Sequence, residues 1–146
     1  MPRDAAPLHG LIRQHAAFEQ SAASLTLPEL EDILRADQHP IRFLVADRGD
    51  RLIGYAAVTF DWSAWRARRY AHLDCLFVVD ASRGSGIGRL LLAEATRVAL
   101  AGGVDRMEWQ TPAWNEDAVR FYVREGAHIQ SKTRFSLRLA WADNEA

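Results

Sequence analysis

Cysteine is almost missing from this chain: Cys75 stands alone, which excludes an intramolecular disulfide and fits a reducing compartment. Lysine is equally scarce, because seventeen of the eighteen basic residues are arginine and Lys132 is the exception. Charge of either sign is not in excess. The formal net charge of -1 lacks the basic surplus of a general nucleic-acid binder, and gives no attraction to anionic membranes. No apolar run approaches the roughly 20 residues that span a bilayer. The first ten residues also lack the basic-then-apolar layout of a secretory leader. There is no internal repeat, low-complexity tract or linker-like stretch, and no metal site is expected. These absences point to one cytoplasmic domain covering residues 1–146. What is present suits that reading: 49% hydrophobic and 25% charged residues give a globular composition. At this length roughly 70% of the unfolded surface can be buried, so neither metals nor disulfides are needed for a core.

Periodicity along the chain changes several times. Leu8, Leu11, Ile12, His15 and Phe18 recur at helical spacing. Thr26-Leu27-Pro28-Glu29 is a capping-box pattern with a proline suited to a first turn, and Leu30, Ile33 and Leu34 supply the apolar stripe behind it. Residues 41–47 and 52–60 read as strands joined by the turn Arg48-Gly49-Asp50. Residues 61–69 (DWSAWRARR) read as a polar connection, and 70–79 as a further strand ending in Leu76-Phe77-Val78-Val79. A glycine-rich loop then opens a helix that Gly102-Gly103 ends. After a strand at 107–111, Asn115 caps a helix carrying Glu116 and Asp117 in its first turn, with Gly126 at its end. Two strands, at 127–131 and 134–140, are expected to close the chain. The order ααβββαβαββ makes this an α/β domain.

The loop Arg83-Gly84-Ser85-Gly86-Ile87-Gly88 lies between an apolar strand and a helix. Such a junction offers unpaired backbone N–H groups and the positive end of a helix dipole, and its glycines let the backbone approach an anion. A merely steric turn is the bland alternative for this hexapeptide taken alone. A P-loop is excluded because Arg89-Leu90 follow the last glycine, not lysine and serine or threonine. The dinucleotide fingerprint G-x-G-x-x-G is excluded by the spacing G-x-G-x-G.

Arg-Gly-x-Gly-x-Gly in this position resembles the pyrophosphate loop of the GCN5-related N-acetyltransferases (the GNAT family), which bind acetyl-CoA. A second stretch supports the resemblance: Asn115, Ala118, Phe121, Tyr122, Gly126 and Ala127 match every fixed position of N-x-x-A-x-x-F-Y-x-x-x-G-A. Leu11-Ile12-Arg13, Phe18-Glu19, His39-Pro40, Trp65 and the run 73–88 are similar to the spermidine/spermine and thialysine branch. The resemblance covers residues 8–139. It implies a central mixed, mostly antiparallel sheet flanked by about four helices, and a homodimer. Members of the family begin with a strand, but only six residues precede Pro7-Leu8, so that first strand is expected to be short or missing. The implied acetyl-CoA contacts are Phe77, Val78, Arg83, Gly84, Ser85, Gly86, Ile87, Gly88, Asn115, Ala118 and Tyr122.

Moving an acetyl group from a thioester to an amine poses two proton problems. An alkylammonium resembles lysine, and removing its proton at pH 7 costs about 4.6 kcal/mol. The departing thiolate benefits from a proton donor. On the residues alone Tyr122 reads as a packing aromatic beside Val119 and Val123; the resemblance makes it that donor. Asp74 takes the place of a glutamate that relays the amine proton in the polyamine-acetylating relatives, one methylene shorter. Strand alternation puts His72, Asp74, Leu76 and Val78 on one face, so His72 is a second candidate base, with a contact to the acceptor or a structural strand role as the other readings. Cys75 is expected on the opposite face as packing.

For the acceptor, the resemblance implies contacts from Glu19, Asp74 and Trp65. Ala22 and Ala23 stand where close relatives carry glutamates, and Ser63-Ala64-Trp65 is nearer the Ser-Thr-Trp of the thialysine branch than the Asp-Pro-Trp of the polyamine enzymes. Arg66, Arg68 and Arg69 would favour an acceptor bearing a carboxylate if they face the cleft. The expected activity is acetylation of a small primary amine (polyamine, thialysine or amino-acid-like) in a ternary complex. A protein or peptide amine as acceptor, and an acyl-CoA-binding module without turnover, are the other readings.

Overall fold

A 3-10 turn at Pro2–Asp4 leads directly into the first helix, α1 (Ala5–Phe18), so among the described residues no strand precedes it. The computed structural model describes residues 2–140, which fall into two compact units, one ending at Pro112 and the other beginning at Ala113. In the first unit α1 buries Ala5, Leu8 and Leu11 along one stripe. Helix α2 (Leu27–Arg35) starts as its sequence dictates. The Thr26 N–H donates to Glu29 Oε1 at 2.7 Å, and the Glu29 N–H donates to Thr26 Oγ1 at 3.3 Å.

Strands β1 (Arg42–Arg48), β2 (Arg51–Ser63), β3 (Arg68–Val78) and β4 (Met107–Glu108) form one sheet in that order. The first two pairings are antiparallel and β3–β4 is parallel, giving the mixed, mostly antiparallel sheet expected. The β1–β2 turn is Gly49-Asp50, with Gly49 at φ +70°. Residues 61–69 are not a loop: Asp61, Trp62 and Ser63 pair with Tyr70, Arg69 and Arg68, and only the tip at 64–67 turns. Their polar character misleads because this arm needs no apolar face. It is held by ladder bonds and by the Arg69 guanidinium over the Phe60 ring at 4.8 Å.

Alternation along β2 sends its residues to two layers. Tyr55 packs with Leu8, Leu11, Leu30 and Phe77 on the α1/α2 side. Gly54 points the other way, toward helix α3 (Ile87–Ala101). A Cβ at Gly54 would lie 2.8 Å from the Phe77 carbonyl oxygen and 3.1 Å from Leu91 Cδ1. The carbonyl belongs to the sheet and cannot give way. Gly54→Ala is therefore expected to cost about 1–3 kcal/mol, read as a lower urea midpoint at unchanged slope; an unchanged midpoint would refute the tight fit.

The second unit contains α4 (Glu116–Arg124), which ends at Gly126 in the left-handed region at φ +100°. The two closing strands are absent among the described residues, and 127–140 has no regular secondary structure. Ile129, Phe135, Leu137 and Leu139 do alternate, but they are exposed. Alternation specifies a face and not the partner strand that must supply hydrogen bonds, so the pattern alone overstates the structure here.

Candidate active site

The decisive local feature is a β-bulge in β3. Leu73 pairs with Val58 and Cys75 with Ala57, leaving Asp74 as an extra residue without a cross-strand partner. The bulge corrects the expected alternation. Beyond it the phase shifts by one, so His72, opposite Thr59, shares a face with Cys75 and Phe77, opposite Ala57 and Tyr55. Leu76 and Val78, opposite Ala56 and Gly54, lie on the α3 side. His72 and Asp74 still meet, with Nδ1 and Oδ1 3.8 Å apart and both side chains partly open to solvent.

Cys75 is thus on the same side as the candidate base. It packs against the Tyr55 cluster, its Sγ lies 3.6 Å from Asp74 Oδ2, and burial together with the Asp74 charge pushes the thiol up to about 12. At pH 8 roughly one thiol in 10⁴ would be ionised, against about a quarter for free cysteine. Alkylation of the folded protein at pH 8, followed by mass spectrometry, is expected to run about 10³-fold slower than in denaturant; equal rates would contradict this burial. Because the folded thiol holds its proton more tightly than the unfolded one, its contribution to stability is complete below about pH 8.5 and is lost as pH rises toward 12.

A hydrogen-bonded line continues from this point into α1. Tyr55 Oη lies 2.6 Å from His15 Nδ1, and His15 Nε2 lies 2.9 Å from Glu19 Oε2. Burial, then the neighbouring Cys75, Asp74 and Glu19, push the Tyr55 phenol well above its ordinary pKa. Glu19 reaches Tyr55 through His15, and Asp74 reaches the Tyr55 cluster through Cys75, so two of the three expected acceptor residues are gathered here. Glu19 is half-buried at the C-terminal end of α1.

Trp65 is not brought to them. It is 98% exposed at the tip of the β2–β3 hairpin, and Arg68 at the base of that tip is already about 20 Å along the strand from Asp74 at 3.3 Å per residue. The three arginines are occupied there: Arg66 and Arg68 pair with Asp105 at 3.4 and 3.3 Å, and Arg69 donates to the Gly102 carbonyl at 3.3 Å. The Arg66 hydrogen bond holds the Asp105 carboxyl below its usual range. A groove of about 340 Å³ between Trp62, Arg68, Arg69 and Gly103 belongs to this end of the sheet, away from Asp74.

From β3 the chain passes through a 3-10 turn (Asp80–Ser82) into the glycine loop and α3. Gly84 and Gly86 take φ of +80° and +88°, and a Cβ built on either would have nothing within 4 Å. Gly86 is the N-cap of α3 and supplies no side-chain acceptor, so the first-turn amides of Ile87 and Gly88 carry no side-chain cap. Ser85 Oγ donates to the Ser82 carbonyl, bracing the turn. The Arg83 side chain is directed elsewhere. Its Nε donates to the Val78 carbonyl at 2.9 Å, Nη1 pairs with Asp80 at 3.2 Å, and the guanidinium lies over the rings of Phe18 and Phe77. Arg83 can therefore offer a ligand its main chain, and the buried side chains of Phe77 and Val78 serve the core.

In the second unit Asn115 caps α4, accepting from the Ala118 N–H at 3.3 Å. Tyr122 is half-buried and its ring lies 5.1 Å from that of Phe121.

His15 and Tyr55 are the site residues that sequence reasoning passed over. His15 carried a signal, an ionisable residue on the apolar stripe of α1 four positions before a carboxylate. Tyr55 carried none, since a strand aromatic reads as packing.

The sequence profile described as the acetyltransferase (GNAT) family matches residues 11–127. The chain is 29% identical over 136 residues to a thialysine N-epsilon-acetyltransferase of Mus musculus, spanning 85% of this chain and 78% of that one. Its fold is that of an aminoglycoside acetyltransferase, meta-AAC0020, from an uncultured soil metagenomic sample (TM-score 0.80, 18% identity, 95% and 92% of the two chains). Aminoglycoside N-acetyltransferase AAC(6')-Iy in complex with CoA is similar as well (TM-score 0.75, 19% identity, 94% and 95%).

Proposed function

The chain belongs to the acetyltransferase (GNAT) family, and on that premise we propose that it moves an acetyl group from acetyl-CoA to a primary amine of a small molecule, by direct transfer in a ternary complex. Polyamines, thialysine and amino-acid-like amines are the acceptors in view, and residues 1–146 act as one catalytic domain. The observation that carries the reading is the loop after β3. Two glycines at positive φ, open space above both, and an α3 N-terminus without a side-chain cap suit an anionic pyrophosphate.

When bound, acetyl-CoA supplies the acetyl group as an activated thioester. The amides of residues 84–88 hold its phosphates, with Asn115 and Ala118 as further contacts. Glu19 anchors the cationic acceptor, which fits the engagement of Arg66, Arg68 and Arg69 elsewhere. Asp74, with His72 beside it, takes the ammonium proton, directly or through water. Tyr122 Oη supplies a proton to the departing sulfur.

Thiol release from acetyl-CoA, measured across polyamines, lysine analogues, amino acids and aminoglycosides, tests the proposal. Amine-dependent release with at least one cationic small amine is expected. Release no faster than the amine-free background across the panel would overturn it.

A further inference from the structure

Outside the residues assigned so far, one group of polar atoms lies in the core with a definite direction. Tyr55 is 1% exposed, and the His15 side chain is 12% exposed. An ionised Glu19 carboxylate only accepts, so the ring nitrogen that faces it at 2.9 Å, His15 Nε2, carries the proton. In the neutral imidazole Nδ1 is then the acceptor, and the Tyr55 hydroxyl faces it at 2.6 Å. The imidazole is also clamped in plane. It stacks on Phe77 at 4.9 Å and 21°, and Phe77 in turn lies under the Arg83 guanidinium at 5.4 Å. The backbone is shaped to the same end: Gln20, directly after Glu19, takes φ +60°, a left-handed conformation rare for a residue with a side chain, and stops α1 there.

We propose that His15 and Tyr55 are positioning residues for acceptor binding: Tyr55 O–H donates to His15 Nδ1, fixing the Nε2–H tautomer, which grips one oxygen of Glu19 and leaves the other for the acceptor ammonium. The inference rests on Glu19 as the acceptor anchor. A flexible carboxylate at the end of a helix would lose side-chain freedom each time it met an ammonium. One held by a charge-assisted hydrogen bond has already lost it. The wet alternative, in which water meets Glu19 and the histidine merely packs, does not need the buried phenol to face the ring nitrogen.

The test combines kinetics with a signal independent of turnover. His15→Leu is expected to raise the acceptor KM about tenfold, the scale of a lost hydrogen bond to a charged group, with kcat and the acetyl-CoA KM within about twofold. Tyr55→Phe, which keeps the ring, is expected to act in the same direction and less. His15→Gln restores a donor toward Glu19 and is expected to recover most of the affinity, which a purely structural role would not require. In wild-type protein, ¹H–¹⁵N spectra of the imidazole are expected to show His15 protonated at Nε2 and bare at Nδ1. A proton on Nδ1 overturns the proposal whatever the activity. If Glu19→Gln raises the acceptor KM but His15→Leu and Tyr55→Phe do not, the positioning role falls alone. If Glu19→Gln leaves that KM unchanged, the anchor assignment falls and takes the proposal with it.

Discussion

Tyr122→Phe is expected to lower kcat by about 10²-fold or more, the usual range for a lost general acid, while acetyl-CoA binds with unchanged affinity. A phenol stays protonated at neutral pH and so has a proton to give; phenylalanine keeps the ring and its packing beside Phe121 but has none. The substitution therefore separates chemistry from structure at one position. The check is steady-state turnover alongside calorimetric titration with acetyl-CoA. Wild-type turnover in the variant would remove Tyr122 from the reaction and leave α4 as a scaffold for Asn115. A matched loss of turnover and of cofactor affinity would instead make Tyr122 a binding residue.

Gly86→Val is expected to weaken acetyl-CoA binding by about 100-fold or more, enough to abolish turnover at ordinary concentrations. Two effects combine. A β-branched residue at φ +88° is strained by roughly 1–2 kcal/mol, and relieving the strain turns the first-turn amides of α3 away. The added methyl groups also enter the open space above the loop, where nothing in the chain lies within 4 Å of a Cβ. That emptiness is why the fold itself should tolerate the change, with a melting temperature lower by only a few degrees. Gly49→Val is the control, since it carries a similar backbone penalty at φ +70° in the β1–β2 turn. It is expected to leave cofactor affinity intact. Equal affinity in Gly86→Val and wild type would sink the assignment of the loop.

Much of this protein is local and was therefore legible. The Thr26 capping box, the Gly102-Gly103 stop, the Asn115 cap and the Gly126 ending all form where residues adjacent in the chain require them. The glycine loop is of the same kind. Its conformation follows from two residues that lack a Cβ, and its place between strand and helix follows from periodicity. The motif of residues 115–127 likewise needed no tertiary information to be read.

What alternation could not supply was phase. A period of two holds only while the ladder is unbroken, and the single extra residue at Asp74 moves His72 from the Leu76 face to the Cys75 face. The same limit governed 127–140, where apolar alternation is real but a strand needs a pairing partner. It governed the arginines too: only the fold brings Asp105 to Arg66 and Arg68 and so removes them from the acceptor. By itself, then, the sequence determined the helices, their caps, the glycine loop and the family's motif residues, because each depends on neighbours a few positions apart. Only the tertiary structure decided that Glu19, His15, Tyr55, Cys75, Asp74 and His72 form one connected group, because the hydrogen bond between His15 and Tyr55, 40 residues apart, and the packing of Cys75 beside Tyr55 are set by how α1 lies on the sheet and where that sheet is bulged.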